Sequence, residues 1–157
     1  MLEQVIKENV LFLDIETVPQ YAEYEEVPEQ LRKLWDVKAS RLASGQEETP
    51  DSLYERAGIY AEFGKIICIS AGFINGDTLR IKSFSGKDEA GLLNQFAGLL
   101  NNRYSKPEFL LCAHNGKEFD FPYIARRMLI NGIRIPAILD IAGRKPWEVR
   151  HLDTMEL

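Results

Sequence analysis

Apolar positions along the chain fall into two patterns, one with the period of a strand and one with the period of a helix. "VLFLDIE" (10–16) is continuously apolar before it turns acidic, as expected of a central strand buried on both faces. "KIICISAGFI" (65–74) predicts a second strand, and "TLRIKSF" (78–84) alternates apolar and polar residues like a half-exposed third. Asn75-Gly76 between them signals a tight type I′ turn, so strands two and three should form an antiparallel hairpin. Beyond a loose capping box of Ser85 and Asp88, the stripe Leu92, Leu93, Phe96, Leu99 and Leu100 predicts a helix of about four turns. "EFLLCAHNG" (108–116) reads as a fourth strand, which after a helix can return parallel to an earlier one by a right-handed crossover. A second helix follows, with Phe121, Ile124, Ala125, Met128 and Leu129 on one face and Asn131-Gly132 as its stop. The stretch 133–157 holds a fifth short strand or a loop.

Between the first two strands the pattern changes. Residues 19–62 are acidic and aromatic, with Leu31, Leu34 and Trp35, and then Leu53, Ala57 and Tyr60, at helical spacing on either side of a Gly45–Pro50 loop. This is read as a helical insertion within a single domain spanning 1–157.

Composition narrows the class only a little. With 157 residues, 45% hydrophobic and 27% charged, the chain can bury one substantial core. A net charge of −5 argues against a broad basic surface for duplex nucleic acid, but not against an enzyme that handles one strand end. Cys68 and Cys112 sit in apolar runs without zinc-site spacing and are expected to be reduced thiols. No signal peptide or membrane span is evident, so a cytoplasmic location and no membrane partner are expected.

The chemistry collects at two places. Asp14 and Glu16, two residues apart on a strand, share a face, and two close carboxylates must either share a proton or bind a cation such as Mg²⁺ or Mn²⁺. The bland alternative is a strand that reaches solvent at Asp14. In "HNGKEFDFPYI" (114–124), Asp120 precedes Phe121-Pro122 and suits a helix N-cap. If strand four lies parallel beside strand one, Asp120 approaches Asp14 and Glu16 at the carboxyl edge of the sheet, where ligands gather in α/β folds.

At these residues the chain resembles a known family. "FLDIET" looks like the first motif, and "HNGKEFDFP" like the second, of the DEDD (DnaQ-like) 3′-to-5′ exonucleases, in particular the predicted bacterial exonucleases related to the proofreading domain of family B DNA polymerases. The resemblance implies a ribonuclease H-like α/β fold, a mixed sheet with strands one to three antiparallel and strand four onward parallel, flanked by helices. It implies two divalent ions, Mg²⁺ or Mn²⁺, with Asp14 bridging them, Glu16 on the ion that activates water, and Asp120 on the second. It further implies hydrolysis at the 3′ end of single-stranded DNA or RNA, and replication or repair proteins as partners. Thr17, Asn115, Lys117 and Phe119 are candidate substrate contacts.

The family's third motif, a fourth Asp with Tyr or His four residues before it, is not found. Asp140 and Asp153 follow Pro136 and Val149 at that spacing, and neither can position a water. The fourth acid is therefore expected beyond Leu157, and this chain is expected to be truncated and weakly active or inactive. Two other readings stand beside the exonuclease. One is a non-catalytic nucleic-acid or protein-binding module of the same fold. The other is a haloacid dehalogenase-type phosphatase, which also opens with a strand ending in Asp-x-acid. His114 is expected to be a structural hydrogen-bonder, Phe121 core, and Arg126 and Arg127 solvated charges; His151 has no evident partner.

Overall fold

The computed structural model describes residues 5–45 and 47–156; Gln46, within the expected Gly45–Pro50 loop, and the fourth acid expected past Leu157 lie outside the described residues. The chain forms two compact units, one from the residues up to Glu16 together with Ile66 onward, the other Thr17–Lys65.

In the first unit, strands β1 (Val10–Pro19), β2 (Gly64–Asn75), β3 (Thr78–Ser85), β4 (Leu110–Ala113) and β5 (Leu152–Asp153) make one sheet in the order β3-β2-β1-β4-β5. β2 and β3 pair antiparallel, whereas β1 with β4 and β4 with β5 pair parallel. This is the mixed sheet of a ribonuclease H-like α/β fold. The hairpin closes differently from expectation. Asn75 pairs with Thr78, leaving Gly76-Asp77 as the two-residue loop. Positive φ falls on Gly76 and not on Asp77, the pattern of a type II′ turn, for which a leading Gly is required.

β1 alternates from Leu11 to Glu16. Leu11, Leu13 and Ile15 are buried, while Phe12, Asp14 and Glu16 point to the other, open face. Phe12 lines a shallow apolar groove there with Ile74, Leu79 and Ile81, and Asp14 stands at its margin. Helix α2 (Glu89–Arg103) starts at Asp88, whose carboxylate accepts from the Gly91 amide at 3.0 Å; Asp88, and not Ser85, is the cap. Leu92, Leu93, Phe96 and Leu100 are all buried as their spacing requires.

Helix α3 (Asp120–Ile130) ends at Asn131 and at Gly132 with φ 68°, where the sequence places its stop. Its buried face is rotated from the expected one. Leu129 is 64% exposed, and Arg127, expected in solvent, is 3% exposed. The cause is a partner that periodicity cannot show. Glu89, in the first turn of α2, accepts from Arg127 Nε at 2.8 Å and from its terminal nitrogen, from the Ile66 amide at 2.7 Å and from Asn131 at 3.1 Å. Burial alone would raise the Glu89 carboxyl, but these bonds and the Arg127 charge outweigh it and hold it below the usual range. Bonds from β2 and α3 thus meet on one carboxylate of α2.

In the second unit, helix α1 (Glu29–Leu42) buries Trp35 completely, with its indole N–H donating to the Pro50 carbonyl at 2.7 Å. Tyr54 and Phe63 meet the indole edge-on at 5.6 and 5.2 Å, an arrangement favoured by the ring quadrupole. Leu34, expected on the apolar stripe, is 62% exposed. Tyr54–Ile59 is a 3₁₀ helix, so its buried positions recur every three residues, at Tyr54 and Ala57. Gly58 is needed there, since a Cβ would come within 2.9 Å of the Val18 carbonyl carbon. No helix among the described residues is long and apolar enough to cross a membrane.

Removing one partner of the buried ion pair should be far worse than removing both charges. Arg127→Met is expected to lower unfolding free energy by about 3–5 kcal/mol, and the Glu89→Gln/Arg127→Met double variant by clearly less, in urea unfolding curves.

Candidate active site

Asp14 and Glu16 lie on β1, and Asp120 opens the helix that follows β4, its parallel neighbour. Phe12 pairs with Cys112 in parallel register, so β4 ends beside the middle of β1. β1 runs on through Asp14 and Glu16, both exposed on its open face. β4 gives way to a tight loop that ends at Asp120.

That loop is held by a residue the motif search set aside. Asp153, at the end of β5, accepts from the amides of Asn115 at 2.8 Å, Met155 at 3.0 Å and Lys117 at 3.1 Å. Burial would raise its carboxyl, yet these three amides and the Lys117 charge hold it below the ordinary value. Asn115 takes the left-handed conformation, φ 57°, which Asn tolerates better than most residues. Its carbonyl then accepts from Phe119 at 2.9 Å, and the Gly116 carbonyl accepts from Phe121 at 2.9 Å. Gly116 admits no side chain, because a Cβ would lie 2.5 Å from Ala113 Cβ and 2.8 Å from Phe121 Cζ. His114 bonds the Thr154 hydroxyl at 2.9 Å through Nδ1, the structural role expected of it.

Asp120 is thereby delivered into a dry position. It is the first helical residue of α3, one place inside the N-cap, which is Phe119. Only 3% of it is exposed, and its carboxyl is pushed up to about 6. Burial is the main cause; the nearby charges of Asp14 and Asp153 add to it, while the amides of Asp120 and Ile15 oppose it. The bond from Ile15 and the influence of Asp14 place Asp120 against the end of β1. Asp14 and Asp120 are therefore an interacting carboxylate pair, with Glu16 two residues on along the same strand face. Among the described residues no group of three or more His, Cys, Asp or Glu side chains is disposed to hold a metal ion. The pair supplies hard oxygen donors, and a divalent cation would offset both the burial that mainly raises Asp120 and the neighbouring negative charge, so the donor chemistry fits Mg²⁺ or Mn²⁺.

The remaining candidates are distributed unevenly. Lys117 donates to Glu156 at 2.6 Å with only 9% of its side chain exposed, so its ammonium is tied to a carboxylate. Phe119 is half-buried and stacks at a tilt on Tyr123 at 5.3 Å. Thr17 is half-buried and belongs to the Thr17–Lys65 unit. Arg126 is exposed, as expected. His151, without an evident partner in the sequence, accepts from the Leu111 amide at 3.1 Å through Nδ1 and bonds the Ile138 carbonyl at 2.8 Å through Nε2. Burial pushes its imidazole below the ordinary value, and the charges of Arg150, Lys117 and Arg144 push the same way. Phe121, as expected, is core and meets the His151 ring edge-on at 5.2 Å. The signal available in "RHLDT" was the i, i+2 spacing of His151 and Asp153, which puts two polar side chains on one face of a short strand.

The sign of the Asp120 shift makes a stability prediction. A carboxyl raised from 3.8 to about 6 is favoured by the fold in its protonated form, so its contribution is present at low pH and is lost as pH rises through about 6. Asp120→Asn should therefore stabilise the metal-free protein by about 1–3 kcal/mol at pH 8 and leave it nearly unchanged at pH 4, as read by thermal melts in EDTA.

Comparison with known proteins agrees with this architecture. No curated protein matches the chain significantly. Residues 59–157 match the family described as predicted 3′-5′ exonucleases related to the exonuclease domain of PolB. The match takes in β3, β4, the Asn115–Asp120 loop and Asp153, and begins after Asp14 and Glu16. On the strength of that match over most of its length, the chain belongs to the family of predicted 3′-5′ exonucleases related to the PolB exonuclease domain.

Proposed function

We propose that the protein is a divalent-metal-dependent 3′-to-5′ exonuclease acting on single-stranded nucleic acid, DNA foremost, and that residues 1–157 alone turn over slowly. The observation that carries the reading is the Asp14–Asp120 pair, a buried carboxylate bonded to the Ile15 amide and raised in part by the charge of exposed Asp14, the preceding residue of β1. Family membership supports the exonuclease class. Bound Mg²⁺ or Mn²⁺ would supply Lewis-acid stabilisation of the attacking and leaving oxygens. Asp14 and Asp120 would hold such ions, with Glu16 the next donor along β1. In the net reaction a water oxygen joins the terminal phosphorus, the 3′ oxygen of the preceding nucleotide leaves, and a nucleoside 5′-monophosphate is released. Slow turnover is supported by the lack, among the described residues, of a group of three or more His, Cys, Asp or Glu side chains disposed to hold a metal ion.

A second reading, a binding module that retains the fold, is favoured by the apolar groove of about 360 Å³ beside Asp14, whose lining is Phe12, Leu13, Ser70, Gly72, Ile74, Leu79 and Ile81. The phosphatase reading loses its basis, since the antiparallel β2–β3 hairpin and the family match both favour the nuclease.

Digestion of a 5′-labelled single-stranded oligonucleotide with Mn²⁺ separates these readings. The nuclease predicts a ladder that shortens from the 3′ end and disappears in Asp14→Ala; retained oligonucleotide binding with no ladder, even at high enzyme, supports the module. Proton competition for Asp120 predicts that apparent metal affinity falls steeply as pH drops below about 6, measurable as the Mn²⁺ concentration for half-maximal cutting.

A further inference from the structure

A second cleft lies at the opposite end of β4 from the carboxylates, about 10 Å of strand away. It has a volume of about 300 Å³, at the small end of ligand pockets, and is walled by the residues that lead into β4 and by the 3₁₀ turn Ala137–Leu139 with the chain after it. Its floor is apolar and aromatic. Tyr104 and Phe109 meet edge-on at 5.1 Å, and Ile138 and Ile141 line the facing side.

Three cations line this cleft, Lys106, Arg144 and Arg150, against a single acid, Asp140. None of the three forms a salt bridge with another described residue. Their field reaches the wall of the cleft, where Arg150 and Arg144 both act on His151. His151 itself adds no charge. Its Nδ1 accepts the Leu111 amide, so its Nε2 carries the proton donated to Ile138, and the ring is held neutral. A chain of net charge −5 therefore carries a small cleft with excess positive charge over an apolar base.

We propose that this cleft binds a nucleoside 5′-monophosphate, with Arg144, Arg150 and Lys106 on the phosphate and the base on the Tyr104, Phe109 and Ile141 surface. Guanidinium groups suit a phosphate dianion through paired, charge-assisted hydrogen bonds, and a planar base suits an aromatic and aliphatic floor. The phosphate preference rests on the cleft alone. The choice of a nucleoside 5′-monophosphate rests also on the exonuclease reading, because that reaction releases this class of molecule, and the cleft would then sense accumulated product.

The test is calorimetric titration of dAMP into the protein in EDTA, where no turnover occurs, with Asp14→Ala alongside. Saturable binding is expected in both, weakened at least tenfold in Arg144→Gln/Arg150→Gln and in Lys106→Gln, and absent for deoxyadenosine. Both arginines are exposed, so an unchanged melting temperature should confirm that the double variant folds. No saturation up to ~1 mM, or binding indifferent to the arginines, would overturn the site. Inorganic phosphate binding as tightly as dAMP would overturn the nucleotide assignment, and so would tighter, arginine-dependent binding of a 5′-phosphorylated oligonucleotide, which would mark a strand track. Failure of the ladder assay would leave these results interpretable, since Asp14→Ala reports binding without catalysis.

Discussion

The arrangement at the sheet edge depends on one carboxylate gathering three amides. Asp153 sits on a strand of only two residues, yet its oxygens take the N–H groups of Asn115, Lys117 and Met155. A loop turning sharply out of a sheet leaves backbone donors that must be satisfied, and here a charged acceptor does so. With Asn115 fixed in the left-handed region and Gly116 flattened against Phe121, the chain enters α3 at one place only. Asp120 is the residue that arrives there.

The entry point is reinforced from the other side of α3. Arg127, two turns further along, is tied to Glu89 and through it to Ile66 of β2. Helix position is thus set at its beginning by the Asp153 loop and near its end by the ion pair. Within that frame a carboxylate can be kept dry beside another, a state that is costly in the absence of a counter-ion. Burial makes Asp120 unfavourable for folding, while the same frame fixes its oxygen atoms as a preorganised donor set.

Much of this was legible in the sequence because it is local. Strand and helix periods gave four of the strands, the hairpin and the two helices of the first unit, left the fifth strand open against a loop, and the i, i+2 spacing placed Asp14 and Glu16 on one face. What was missed is set by partners far along the chain. Arg127 reads as a solvated charge until Glu89, 38 residues away, is in view. Asp153 reads as a failed third-motif acid until Asn115, also 38 residues away, is seen to donate to it, and His151 bonds Leu111 across 40. The turn type was misread because Asn-Gly is a strong I′ signal, yet the pairing of Asn75 with Thr78 moves the loop by one residue. Leu34 and Leu129 were assigned to apolar stripes that rotate by about one residue once Trp35 and Arg127 find their contacts.

The account stands on Asp14 and Asp120 forming one interacting pair. Carbon-13 NMR of the Asp120 side-chain carboxyl, titrated in metal-free protein and in Asp14→Asn, tests it directly. The prediction is a midpoint near 6 in the parent that falls in the variant while staying above 3.8, because burial remains when the neighbouring charge is gone. A midpoint in the ordinary aspartate range, or one that Asp14→Asn does not move, would contradict it.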